Sequence, residues 1–169
     1  MPYSDPDNKA TVAAWLDEIA PVSVLDVGPG AGIYGEISRR VSSVQIVNAV
    51  EAWEPYIDQF NLTGIYDKVT VGDIRDHDNF EYDVVIFGDI LEHMSADDAL
   101  AVYSKALQSA KWVLFSIPII HLPQDAYGGN PFEVHVEEDW SHEKILDWFP
   151  GIVKSETFRV TGVYLAHAS

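Results

Sequence analysis

Residues 24–36, VLDVGPGAGIYGE, set a glycine-rich turn between an apolar run and a helix-like pattern. Several nucleotide-binding folds begin this way, because open backbone N–H groups at such a turn can cradle the polar end of a ligand. A dinucleotide-binding turn needs Gly-x-Gly-x-x-Gly, so that the backbone approaches a pyrophosphate and the third glycine lets the helix pack closely. Here Gly28, Gly30 and Gly32 alternate with other residues, and Ile33 stands where that third glycine belongs. Asp26 precedes the turn, where a carboxylate would repel a diphosphate but suits an ammonium group or the holding of a neighbouring backbone. The turn therefore asks for a ligand with a positive end. Farther along, residues 118–140 gather His121, Asp125, Tyr127, Glu133 and His135 with the aromatics Phe132 and Trp140. His135 is a candidate general base, since an unperturbed imidazole titrates near neutrality. Its plainer role is to cap a turn or bond a neighbouring carboxylate.

Positioning these groups requires a scaffold, and apolar runs alternate with helical patterns along the chain. Strands are predicted at 22–27, 44–50, 68–72, 82–88 and 111–117, rich in Val and Ile and apolar on both faces where central. That pattern suits a parallel sheet covered on both sides. Helices are predicted over 8–20 (Val12, Trp15, Leu16 and Ile19 inward) and 33–41 (Ile33, Ile37 and Val41 together). Another opens at Pro55, runs to Leu62 and stops at Gly64. Ser95 with Asp98 forms a capping-box variant ahead of Leu100, Tyr103 and Leu107. Ser141 caps a helix that Pro150-Gly151 stops, and 153–160 with 162–168 read as a terminal hairpin. The expected fold is α/β: a Rossmann-like open sheet of about seven strands, mostly parallel, with an antiparallel hairpin at the end and helices on both faces. Residues 1–169 are expected to form one domain, with 1–21 as an N-terminal helix region and 118–140 as a loop on the substrate side. A segment that long without periodicity is usually functional or mobile.

Composition narrows the function. The chain has 169 residues, 47% hydrophobic and 12% aromatic, which is globular in character. Ten Lys plus Arg face 27 Asp plus Glu, a formal net charge of −17. Such a field disfavours nucleic acid and membrane surfaces as partners. No run approaches the ~18 apolar residues of a membrane helix, and the polar start MPYSDPDNKA is unlike a signal peptide. A cytoplasmic location is the default. With no Cys, thiolate ligands, disulfides and cysteine nucleophiles are excluded.

VLDVGPGAG resembles motif I of class I S-adenosylmethionine-dependent methyltransferases, and the resemblance runs from about residue 22 to the end. It implies that Gly28, Gly30 and Gly32 wrap the amino-acid part of S-adenosylmethionine, with Asp26 helping to orient it. NAVEAW supplies Glu51, followed by Ala52, where a carboxylate can accept both ribose hydroxyls. Trp53 would lie against the adenine. Asp73 in VTVGDIRD would meet the adenine amino group, with Ile74 packing on the ring. YDVVIFGDILEHM is similar to motif IV: Gly88 and Asp89 face the methionine part, and Leu91-Glu92-His93 follow as in many small-molecule methyltransferases. Asp89, His93 and His135 are the candidate catalytic residues, with Asp89 as a positioning group.

Methyl transfer from a sulfonium is a one-step displacement, so the protein mainly aligns the acceptor and excludes water. No Asn/Asp-Pro-Pro-aromatic tetrad follows the fourth strand, which disfavours methylation of DNA bases or glutamine. The expected acceptor is an oxygen, nitrogen or carbon of a small molecule, handled without a metal. Three alternatives remain. Asp89-x-x-Glu92-His93 with His135 resembles the Glu-x-x-Glu-His…His set of metal-dependent 2′-O-methyltransferases acting on small-RNA ends, against which stand Asp for the first Glu and the acidic charge. A non-catalytic module could retain the cofactor pocket. An NAD-dependent oxidoreductase is disfavoured by Ile33.

Overall fold

The computed structural model describes residues 6–167. The first five residues of the expected N-terminal region and the last residue of the expected hairpin lie outside that range.

Seven strands form one sheet in the order β3-β2-β1-β4-β5-β7-β6. They are β1 (Ser23–Val27), β2 (Ile46–Glu51), β3 (Lys68–Val71), β4 (Val84–Gly88), β5 (Trp112–Pro118), β6 (Ile152–Thr157) and β7 (Thr161–His167). The first five strands are parallel, while β7 runs antiparallel to both β5 and β6. The predicted α/β sheet with a terminal antiparallel hairpin is the observed one. Chain order reverses between β1 and β4, and it is there, beyond the carboxyl ends of the strands, that such sheets leave a crevice.

Helices α1 (Lys9–Ile19), α2 (Ile33–Arg40), α3 (Pro55–Gln59), α4 (Ala96–Ser109) and α5 (His142–Trp148) complete the layers. Strand alternation sorts the core into two. Val24, Val47, Ile86 and Leu114 pack with Val12, Leu16 and Ile37 on one face. Leu25, Val85, Phe87 and Phe115 pack with Tyr103, Phe149 and Tyr164 on the other. Burial of both faces is what the unbroken apolar strands require.

Local chemistry explains the helix ends. Ser95 Oγ accepts the N–H of Asp98, and Ser141 Oγ that of Lys144, so both predicted caps satisfy an open donor. Helix α3 is shorter than predicted, because Asn61 takes a left-handed φ of 49° and breaks the run before a separate 3-10 turn at Leu62–Gly64. The buried face of α4 is Ala99, Val102, Tyr103 and Ala106, one residue round from the predicted stripe; Leu100 and Leu107 are only partly buried. The two alanines let the helix lie close to the sheet.

Residues 119–140 carry almost no regular structure: one 3-10 turn at Pro131–Glu133 and one bridge, Tyr127 to Asn130, around Gly128-Gly129. Both glycines have left-handed φ values, 58° and 84°, as a tight tip demands. The segment is nevertheless held. Its backbone N–H groups at Val136 and Glu137 donate to the carbonyl of Glu92, just past β4.

Candidate active site

An open cleft of about 810 Å³, measured out into solvent, lies at the β1/β4 reversal. Its floor and walls come from the three crossover turns after β1, β2 and β3, the end of β4, and the 118–140 segment. Gly28, Gly30, Glu51, Ala52, Asp73, Ile74, Gly88, Asp89 and His93 all line it. Gly28 takes a φ of 61°, which favours glycine, and a Cβ there would push the Ile90 side chain aside.

Four of the site residues expected from sequence, Gly32, Asp26, Trp53 and His135, stand back from the cleft wall. Gly32 is the left-handed N-cap of α2, packed against Ile65 rather than facing the cleft. Asp26 is fully buried and accepts a 2.6 Å hydrogen bond from the Tyr66 hydroxyl. It acts from behind the turn. Trp53 contributes its backbone N–H, which donates to Glu51 Oε1 at 2.7 Å. That bond fixes the Glu51 carboxylate at the end of β2.

Asp73 is N-cap of the 3-10 turn Ile74–Asp76 and accepts the N–H of Arg75. Its carboxylate also takes the Arg75 guanidinium, down to 2.5 Å, and this partner holds it below the usual carboxylate range. No sequence pattern pointed to Arg75, Tyr56, Met94 or Asn130, which also line the cleft.

The opposite side of the cleft is built where 118–140 meets the 3-10 turn Leu91–His93. His93 Nδ1 lies 3.1 Å from the Val134 carbonyl, and His135 Nδ1 lies 2.6 Å from that of Leu122. Both Nδ1 atoms therefore carry the proton, which leaves each Nε2 as a lone pair. The rings sit edge to face, centroids 4.8 Å apart. Burial pushes His93 down to about 4 and also lowers His135, so both imidazoles are neutral at pH 7. Glu92, 1% exposed, is raised well above its ordinary value by burial, and its Oε2 has no hydrogen-bond partner. One ligand atom each from Glu92, His93 and His135 lies within 4.8 Å of the others. Asp89, at the end of β4, takes a left-handed φ of 56°, a costly geometry for a residue with a side chain.

Burial also raises Asp26 and Glu51, each to about 7. In the unfolded chain both lose their protons near 4, whereas the folded protein keeps them to neutrality. The folded state thus binds more protons between pH 4 and 7, and stability from these groups falls as pH rises through that window. The midpoint of thermal unfolding is expected to be higher at pH 5.5 than at pH 8, by on the order of 5 °C. Scanning fluorimetry reads this, and Asp26→Asn should flatten the dependence.

No sequence-family profile matches the chain, and no curated protein is similar to it at the sequence level. Solved structures do resemble it. The N-terminal domain of EvdMO1 with SAH bound superposes at a TM-score of 0.70 and 12% identity, over 98% of this chain and 83% of that one. An S-adenosylmethionine-dependent methyltransferase from Clostridium acetobutylicum gives 0.71 at 14% identity, over 95% and 90%. The methyltransferase domain of bacterial CtHen1-C gives 0.70 at 15%, over 96% and 97%. The strand order, the glycine crossover and these likenesses agree: the chain has the Rossmann-like fold of the class I S-adenosylmethionine-dependent methyltransferases.

Proposed function

We propose that residues 1–169 form a methyltransferase domain that binds S-adenosylmethionine in the β1/β4 cleft and methylates a small-molecule acceptor. The observation that carries this is the convergence on one cleft of the glycine turn, a buried carboxylate at the end of β2, and the Asp73-Ile74 turn. The space and its walls fit such a group. Glu51 offers acceptor oxygens to a ribose diol, Ile74 an apolar surface to the base, and Gly28 and Gly30, both at positive φ, a bare backbone approach. When bound, the cofactor supplies an electrophilic methyl on a positively charged sulfur. The chain's own work is to hold that group, align the acceptor, keep water out and take the acceptor's proton. Neutral His93 and His135 present lone pairs for the last task.

The lining also bears on the acceptor. Glu51, Asp73, Asp89 and Glu133 face the cleft, Arg75 is engaged by Asp73, and the 118–140 segment has Asp and Glu but no Lys or Arg. An anionic acceptor would be repelled, whereas exposed Phe132 at the rim suits an apolar ring. This supports a neutral or cationic small molecule over a nucleic acid.

A second reading concerns how the acceptor's oxygen is handled. Glu92, His93 and His135 fit a divalent cation: an unpartnered buried carboxylate oxygen and two neutral imidazoles whose Nδ1 protons are fixed by carbonyls. Held there, a cation would polarise an acceptor hydroxyl and favour O-methylation.

Thermal shift with S-adenosylmethionine, SAH and NADH tests the cofactor. SAH at 100 times its dissociation constant should stabilise by about 2.7 kcal/mol, and NADH should do nothing. Stabilisation by NADH alone would overturn the reading. A screen for SAH release over hydroxylated, amino and activated-carbon acceptors then tests turnover, and binding without release from any acceptor would point to a non-catalytic module.

A further inference from the structure

The two halves of the cleft come from distant parts of the chain, and one buried side-chain contact joins them. The Tyr56 hydroxyl, in α3, donates to Glu133 Oε1 at 2.9 Å across 77 residues. Tyr56 is 5% exposed and Glu133 6%. The Asn130 side chain, 2% exposed, lies beside the same hydroxyl and accepts the Phe132 N–H. Tyr56, Asn130 and Glu133 line the cleft together with Glu51. Burying a carboxylate, an amide and a phenol costs free energy unless they satisfy one another in a fixed geometry. Here Tyr56 and Glu133 satisfy each other, and Asn130 is held by the Phe132 N–H, at the seam between the cofactor wall and the acceptor-side segment.

Both ends of this contact are anchored. On the cofactor side, Glu51 Oε1 accepts the Trp53 N–H, and Tyr56 N–H donates to the Trp53 carbonyl, so the carboxylate is coupled through Trp53 to the start of α3. The Tyr56 ring packs edge-on against Phe60, centroids 5.1 Å apart. On the acceptor side, the Glu133 carbonyl accepts from Gln124 Nε2 at 2.6 Å, and Asn130 Oδ1 accepts the Phe132 N–H at 2.9 Å. Hydrogen bonds thus link Glu51 through Trp53 and Tyr56 to Glu133, whose N–H donates to the Asn130 carbonyl beside the glycine tip.

We propose that Tyr56 and Glu133 are positioning residues through which an occupied cofactor cleft secures the 118–140 segment, so that the acceptor pocket is completed on the loaded cofactor side. The proposal rests on the cofactor reading above. A ligand that holds Glu51 restrains the turn leading into α3; Tyr56 then presents its hydroxyl to Glu133 without further ordering cost. By linkage, whatever the ligand contributes to the segment, the segment returns to the ligand.

The test uses the full chain, SAH as the probe and chymotrypsin, which can cut after exposed Tyr127 and Phe132. Saturating SAH should slow those cuts in the wild type by about tenfold. In Tyr56→Phe and Glu133→Ala, each saturated with SAH, the slowing should fall below about twofold. Glu133→Gln, whose amide oxygen still accepts the Tyr56 hydroxyl, should restore it. A merely structural role would speed cutting equally with and without SAH and leave the ratio intact. An unchanged ratio in both Tyr56→Phe and Glu133→Ala overturns the proposal, as does wild-type protein that binds SAH calorimetrically but gains no protection. Wild-type protein that fails to bind SAH overturns the cofactor reading instead, and this proposal with it. Should Tyr56→Phe fail to fold, the Glu133 pair decides alone.

Discussion

SAH binds the Glu51→Ala protein about 100-fold more weakly than the wild type, at an unchanged or higher unfolding temperature: that is the expected result of isothermal titration and scanning fluorimetry at pH 8. Hydrogen bonds to a charged acceptor contribute about 1.5–3 kcal/mol each, and two from a ribose diol make a loss of ~3 kcal/mol, or ~100-fold, a conservative figure. Stability moves the other way because the buried carboxylate, raised to about 7, must be ionised at pH 8 at a desolvation cost. Alanine removes that cost. Asp73→Ala should do less, about fivefold, because the Asp73 carboxylate is already committed to Arg75 and offers a ligand one hydrogen bond at most. Equal affinities for wild type and Glu51→Ala would put the adenosine somewhere else.

His135→Ala and His93→Ala are expected to lower kcat/KM for the best acceptor by about 10² to 10⁴ while leaving SAH affinity unchanged. The two accounts of the imidazoles part at three measurements. If a histidine is the base, the acid limb of the rate profile lies below the ordinary imidazole range, because burial lowers both groups and keeps them neutral. Glu92→Gln then costs little, and EDTA has no effect. If Glu92, His93 and His135 hold a cation, EDTA abolishes turnover, Mn²⁺ or Co²⁺ restores it, and Glu92→Gln loses both metal and activity. Full activity in His135→Ala with EDTA present would remove the acceptor-side assignment altogether.

Much of this architecture is legible in the chain because it is local. Val- and Ile-rich runs mark strands that are buried on both faces, and the observed β1, β2, β3, β4 and β5 start or end within a residue or two of their predicted spans. Ser95 and Ser141 announce helix starts by a side-chain oxygen that meets an N–H three residues on. What the chain does not announce is long-range pairing. Asp26 reads as a ligand-facing carboxylate beside the turn, yet Tyr66, forty residues later, holds it in the interior. Trp53 reads as a stacking ring, but its backbone is what reaches Glu51. Asn61 stops α3 by adopting a left-handed conformation. The 118–140 segment has no period to betray how it folds back, so the stitching of Val134 to His93 and of Val136 to Glu92 is visible only in three dimensions.

The position of β7 carries a consequence for biosynthesis. It is translated after the other six strands, yet it lies between β5 and β6, with every residue from Thr161 to Ala166 buried. Until it leaves the ribosome, β5 presents an unpaired apolar edge, with Phe115 lacking its stacked neighbour Tyr164. Such an edge is a template for pairing with another chain. A nascent chain stalled before residue 161 would therefore call on chaperones, and a late frameshift would be felt as aggregation before it was felt as lost activity.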